Sequence, residues 1–141
     1  MGNVLQVDNN FTPCPVQDGD ELYPNGFFEF NISKILEEIQ KNPASFPLVE
    51  AAVSDFSPSF SSIEEEHLAS VDISKPVILA EIAPGRHNLI DGNHRMEKAR
   101  RLGIKSVPAY RLGVEQHLKF LTSQKAYVIY VEYWNGKLQN G

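Results

Sequence analysis

The stretch Asn88-Leu89-Ile90-Asp91-Gly92-Asn93-His94-Arg95-Met96-Glu97-Lys98-Ala99-Arg100-Arg101-Leu102-Gly103 reads as strand, tight turn and helix, with polar and ion-handling residues crowded into the turn. Leu89 and Ile90 suit a strand, Asp91-Gly92 is a turn signal, and Gly103 stops the helix as a left-handed cap. The helix is therefore predicted to begin near Asn93. The first N–H groups of a helix lack carbonyl partners and its dipole is positive there. An anion is thus favoured at the spot where His94 and Arg95 add charge or donors, and phosphate is the expected one.

Outward from this unit, Val77 to Ile82 is a strand candidate, Pro84-Gly85-Arg86 a turn, and Asn88 to Ile90 the returning strand of a hairpin that feeds the helix. Ser106 to Arg111 reads as one more strand. Upstream, Gly26 to Phe30 reads as a short strand. Asn31 then caps a helix with Ile32, Ile35, Leu36 and Ile39 at helical spacing, stopped by Asn42-Pro43. Phe46 to Val53 reads as a strand that Pro47 either puts at an edge or makes start late. Ser54 to Ser62 reads as a loop, and Ser62-Ile63-Glu64-Glu65 as a capping box for a short acidic helix. After Gly113 the spacing of Val114, Leu118 and Leu121 predicts a helix. Ser123 can cap a last one with Tyr127, Tyr130, Val131, Trp134 and Leu138 on one face, although the β-branched and aromatic content of 127–134 also suits a strand. Tyr127, Tyr130, Tyr133 and Trp134 read as core and interface rather than as a base-stacking platform.

With 141 residues, 42% of them apolar, the chain can bury one proper core. The expected organisation is an extended arm over residues 1–26, rich in Pro, Asn and Asp, and a single domain over 27–141. That domain has a core at 27–111 and a helical extension at 112–141. No apolar run approaches the roughly 20 residues of a membrane span and no secretory signal is visible, so the cytoplasm is the expected compartment. The lone Cys14 makes no internal disulfide, and no Cys or His cluster has zinc spacing.

The net charge of −5 is unevenly spread. Residues 1–85 hold 3 Lys/Arg against 14 Asp/Glu, whereas residues 86–111 hold 7 against 2. The basic segment coincides with the strand-turn-helix unit, so long-range field and local anion geometry agree. Bulk acidity argues against a duplex-gripping protein, which needs many phosphate contacts from a basic face.

The order of elements, together with Leu89-Ile90-Asp91-Gly92-Asn93-His94-Arg95, Ala99, Leu102-Gly103, Val107-Pro108 and Lys75-Pro76-Val77-Ile78, resembles the ParB/sulfiredoxin superfamily over residues 27–111. The resemblance implies a compact α+β domain, a small mixed sheet packed with helices, whose strand-to-helix turn holds nucleotide phosphates. Some members of the superfamily hydrolyse or transfer phosphate. In sulfiredoxins a catalytic cysteine stands where this chain has Asn93, so repair of cysteine sulfinic acid is not expected. Partition ParB proteins carry a glutamate and a second arginine in the corresponding box and continue into a helix-turn-helix, neither of which is found here. The Asp-Gly-Asn-His-Arg box is more similar to stand-alone members with Asp-Gly-His-x-Arg boxes, among them a nucleotide-dependent kinase of free serine and proteins described as nucleases. The ligand so implied is a nucleotide such as ATP, ADP or CTP, or another phosphorylated small molecule. Mg²⁺-dependent phosphoryl transfer or hydrolysis is the implied chemistry. The alternatives are a noncatalytic ligand-sensing or DNA-linked module and a metal-dependent nuclease.

Within the box, Gly92, Asn93, His94 and Arg95 are the expected phosphate ligands. Gly92 lacks a Cβ and permits close approach, Asn93 caps the helix or touches ligand, and Arg95 supplies a fixed positive fork. His94 either donates to phosphate or shuttles a proton, as a catalytic residue, or merely satisfies a backbone carbonyl. Asp91 either braces its turn or acts catalytically, and a carboxylate beside phosphate requires a cation, which makes Asp91 the candidate Mg²⁺ ligand. Glu29 and Glu81 are weaker candidates on neighbouring strands. Lys98, Arg100, Arg101 and Lys105 read most simply as a solvated helix face, with nucleic-acid contact as the alternative.

Overall fold

A computed structural model describes residues 4–25, 28–56 and 64–140. In chain order the elements are β1 (Leu22–Asn25), β2 (Phe28–Asn31), α1 (Ile32–Lys41), β3 (Leu48–Ala52), α2 (Glu65–Ser70), β4 (Val77–Ala83), β5 (Arg86–Asp91), α3 (Asn93–Arg101), β6 (Ser106–Leu112), α4 (Val114–His117) and α5 (Gln124–Asn140). The fold is α+β. A four-stranded mixed sheet has the order β3-β6-β4-β5, in which only the β4–β6 pair is parallel, and β1 and β2 form a separate antiparallel ribbon.

The apolar run of β4 is explained by its central place. Ile78, Ala80 and Ile82 face one side, and Val77 and Leu79 the other, as the two-residue repeat of a strand requires. The first side meets α1 and α5 in the larger core, with Phe30, Ile35, Tyr130 and Trp134. The second meets α3 through Met96 and Ala99. Two layers of helix thus enclose the sheet. β3 starts late, at Leu48 just after Pro47, and also lies at a sheet edge.

Two buried polar side chains organise this frame. The Asn31 side chain accepts the Lys34 N–H as the cap of α1, and its amide donates to the Pro15 carbonyl and to Asp20. That carboxyl is held below its ordinary range chiefly by the Asn31 bond. His117 donates from Nε2 to the Glu81 carbonyl at 2.6 Å, an acceptor it shares with the Tyr130 hydroxyl. Burial pushes the His117 imidazole down to about 4 and the Tyr130 phenol up.

The structure settles some open readings and corrects others. The arm is packed: Phe11 stacks on Tyr127 at 4.0 Å, Leu5 exchanges two backbone hydrogen bonds with the Asn135 side chain, and buried Cys14 donates its N–H to the Leu121 carbonyl. Its last residues, Leu22–Asn25, are a strand paired with β2, so the boundary drawn at residue 26 falls between two partners. The helix expected over 114–121 is α-helical to His117 and continues as a 3₁₀ turn over Leu118–Phe120, ending before Leu121. Leu121 bridges Phe30, Cys14 takes its carbonyl, and Thr122 donates to the Glu29 carbonyl, so the chain is drawn into extended form. α3 begins at Asn93 as expected, but the cap position belongs to Gly92 rather than to Asn93. The ambiguous 127–134 segment is helical, with the Ser123 hydroxyl accepting the Ala126 N–H. Gly26 and Phe27 of the expected first strand, and Ser62 and Ile63 of the expected capping box, lie outside the described residues.

Candidate functional site

β5 delivers Asp91 and Gly92 to the amino end of α3. Gly92 has φ +109°, and a Cβ there would stand 2.5 Å from Val77 Cγ1. Both facts demand glycine: the left-handed conformation disfavours other residues, and β4 closes against the turn from behind. No side chain caps α3, whose first intrahelical bond is Met96 N–H to the Gly92 carbonyl. The N–H groups ahead of it therefore face the space in front of the helix.

That space is a cleft of about 540 Å³. The structure brings all five predicted residues, Asp91, Gly92, Asn93, His94 and Arg95, to its lining. The Arg95 guanidinium donates to Asp91 Oδ2 at 3.0 Å and to the Pro76 carbonyl at 3.1 Å. With both side chains of the pair largely covered, at 17% and 14% exposure, the cation is fixed in orientation at the cleft. Asp91 is thus at least a brace for Arg95. His94 sits differently from its expected donor role: its Nε2 accepts the Glu64 N–H at 3.0 Å, and its ring meets the edge of His67 at 4.7 Å. In this arrangement Nε2 carries no proton and cannot donate to an anion.

Glu29 and Glu81 are not brought into the cleft. Glu29 accepts from the Thr122 hydroxyl and Glu81 from the Gly85 N–H in the β4–β5 turn. The cleft instead gains Glu21, Tyr23, His67, Asp72 and Lys75, which sequence reasoning missed. Burial, and after it the Asp91 carboxylate, push the Glu21 carboxyl above its ordinary value. Asp72 is held low by Ser74, which donates from both hydroxyl and backbone. No local signal marks Glu21. It reaches the cleft because its carbonyl accepts the Ile32 and Ser33 N–H groups and its own N–H donates to Ser33 Oγ, which staples the arm to the start of α1.

The basic face of α3 is also corrected. Lys98 donates to the Ala69 and Val71 carbonyls at the carboxyl end of α2, and Arg101 makes a two-pronged pair with Glu65 and a further bond to Glu97. Arg100 pairs with Glu97 and donates to the Phe56 carbonyl. Arg101 and Lys105 keep the expected exposed character, Arg101 while tied to Glu65 and Glu97. Tyr127, Tyr130 and Trp134 are buried in the larger core, as the reading of these aromatics as core requires.

Among the described residues, no group of three or more His, Cys, Asp or Glu converges as a metal site, and no helix is long and apolar enough to cross a membrane. Comparison with family models, with curated proteins and with solved structures finds no match to this chain.

Proposed function

We propose that the cleft binds a nucleotide or another phosphorylated small molecule, with a phosphate at the amino end of α3, in a domain of the ParB/sulfiredoxin kind. The observation that carries this reading is the Arg95 guanidinium, immobilised by Asp91 and Pro76 beside an uncapped helix end that opens on a cleft of ligand size. A fixed fork and unpartnered N–H groups recognise phosphate oxygens with little reordering on binding.

Phosphoryl transfer or hydrolysis is the chemistry proposed for the site, with Asp91 as the Mg²⁺ ligand. Asp91 is already paired with Arg95 and stands outside any converging group of metal ligands among the described residues, so an ion held there would draw most of its shell from water and substrate phosphate, as Mg²⁺ commonly does. When bound, Mg²⁺ would neutralise charge developing on the phosphoryl group. The protein's share is positioning: Arg95 holds phosphate, and Gly92 lets the turn lie flat against β4. A duplex-binding face has less support, since three of the four cations expected to form it are engaged within the molecule.

The test is calorimetric titration with ATP, ADP, CTP and inorganic phosphate, with and without Mg²⁺, followed by product analysis. Arg95→Ala is expected to weaken binding at least tenfold, or about 1.4 kcal/mol. Asp91→Asn is expected to lower any turnover more than affinity. Nucleotide binding that survives Arg95→Ala unchanged, or no binding by any of the panel, overturns the reading.

A further inference from the structure

Three side chains of α3, His94, Lys98 and Arg101, follow one another at i, i+4 and i+7 and so form a single stripe. Each holds a different part of α2. His94 accepts the N–H of Glu64, just ahead of the helix; Arg101 grips the Glu65 carboxylate; and Lys98 takes the carbonyls of Ala69 and Val71 at the far end. Apart from Leu68, α2 buries no side chain, so this stripe supplies much of its attachment. The segment matters to the cleft because His67, Ser70, Val71 and Asp72 form one of its walls.

The three ties differ in one respect. Lys98 and Arg101 donate as permanent cations, whereas His94 accepts, and it can do so only while Nε2 is unprotonated. On protonation, that nitrogen becomes a donor facing another donor. The ring must then turn away or α2 must move. The remaining tie at that end, Arg101 to Glu65, has side chains 45% and 68% exposed and is of the weak, screened kind. We propose that His94 is a proton-operated latch: neutral, it holds the amino end of α2 against α3, and protonated, it releases that end while Lys98 keeps the other as a pivot.

The surrounding charges set how easily the latch opens. Glu64 just ahead of α2, Glu66 in its first turn and Glu21 across the cleft favour the imidazolium, while Arg95, Lys98 and Lys75 oppose it. Glu65 and Glu97 are already paired with Arg101, Asp91 with Arg95, and Asp72 with Ser74. His67, in edge contact with His94, adds a second titrating ring whose charge would oppose a first on His94. An anion at the first turn of α3 tips this balance towards the imidazolium, since His94 belongs to that turn. Ligand binding and release of α2 are then linked through one proton. This second part rests on the phosphate reading; the proton-driven part does not.

Hydrogen exchange of the peptide spanning residues 64–72, corrected for the intrinsic pH dependence of exchange, tests the latch in the full chain. Protection of the α2 amides, such as the Leu68 N–H bonded to the Glu64 carbonyl, is expected to fall at least threefold between pH 7.5 and 5.5. His94→Gln, which offers an acceptor that does not titrate, is expected to flatten that dependence, while His67→Asn retains it. A long-range ¹H–¹⁵N spectrum of the unaltered protein reads the same event without mutation: the latch requires the Nδ1–H tautomer of His94 at pH 8. An Nε2–H tautomer, a flat protection profile, or an unchanged pH dependence in His94→Gln overturns the proposal. Inorganic phosphate at pH 7.5 supplies the second arm. Phosphate that binds at α3 without lowering α2 protection overturns the linkage, whereas phosphate that fails to bind while the pH profile stands counts against the phosphate reading alone.

Discussion

On one face of the four-stranded sheet, β2, α1 and α5 meet the strands through Phe30, Ile35, Tyr130 and Trp134, all nearly inaccessible to solvent. On the other, α3 meets them through Met96 and Ala99, and α2 beyond it is held by hydrogen bonds and ion pairs from His94, Lys98 and Arg101. Apolar contact is non-directional and grows with buried area, so the first face supplies stability that few single changes in solution conditions remove. Polar contact in reach of water contributes little net free energy per bond but depends on protonation and ligand charge. The candidate site lies on the second face, where rearrangement costs least.

The largest expected difference between the faces is in their response to truncation. Phe30→Ala removes a fully buried ring that packs edge-on against His117, and is expected to destabilise the protein by roughly 3–5 kcal/mol. Met96→Ala on the other face is expected to cost about 2–3 kcal/mol, because a smaller cluster closes over the gap more easily. Urea unfolding of both variants measures this. Equal losses would remove the asymmetry on which the comparison rests.

A second test uses pH against the apolar face. His117 is buried neutral, its folded value near 4 against an ordinary 6.5. The unfolded chain therefore binds the extra proton first, and the stability contributed by neutral His117 is fully present above pH 6.5 and lost as pH falls to about 4. The loss is on the order of 3 kcal/mol. Carboxyls held low by hydrogen bonds, Asp72 and Glu97 among them, add their own loss below the ordinary carboxylate range. Urea midpoints at pH 7, 5.5 and 4.5 check the sign. Stability that is flat over this interval would show that His117 is hydrated or exposed in the folded state.

The first face was the easier to read from sequence. Ile32, Ile35 and Ile39 carry a helical repeat, the β4 run carries a buried strand, and Asn31 and Ser123 carry caps, all of them signals contained within one element. The turn at Gly92 was legible for the same reason, since strand, glycine and helix are contiguous. What sequence did not reveal depends on contacts far apart in the chain. Glu21 lies 70 positions before Asp91 and reaches the cleft only through the arm's bonds to α1. Lys98 and Arg101 look like a solvated face until α2, some 30 residues upstream, is set against them. The helix expected over 114–121 changes to a 3₁₀ turn after His117 and ends before Leu121 for a like reason, because Phe30, Cys14 and Glu29 claim the backbone of Leu121 and Thr122.

The smallest expected effect separates two lysines that sequence alone treats as equivalent. Lys98 donates to the Ala69 and Val71 carbonyls, satisfying groups that a helix end leaves without partners, whereas Lys105 is exposed. Lys98→Met keeps the aliphatic stem and removes only the ammonium, so its global cost should be about 0.5–1 kcal/mol. Lys105→Met should stay within roughly 0.5 kcal/mol of the parent. The larger consequence is local. Leu68 is the single side chain that α2 buries, so the segment can leave α3 without unfolding the sheet. Exchange of the α2 amides in Lys98→Met should rise severalfold, while amides of β4 and β6 keep their protection. If the two lysine variants exchange alike over residues 64–72, α2 is held by something other than the α3 stripe, and the contrast between an apolar and a polar face loses its clearest support.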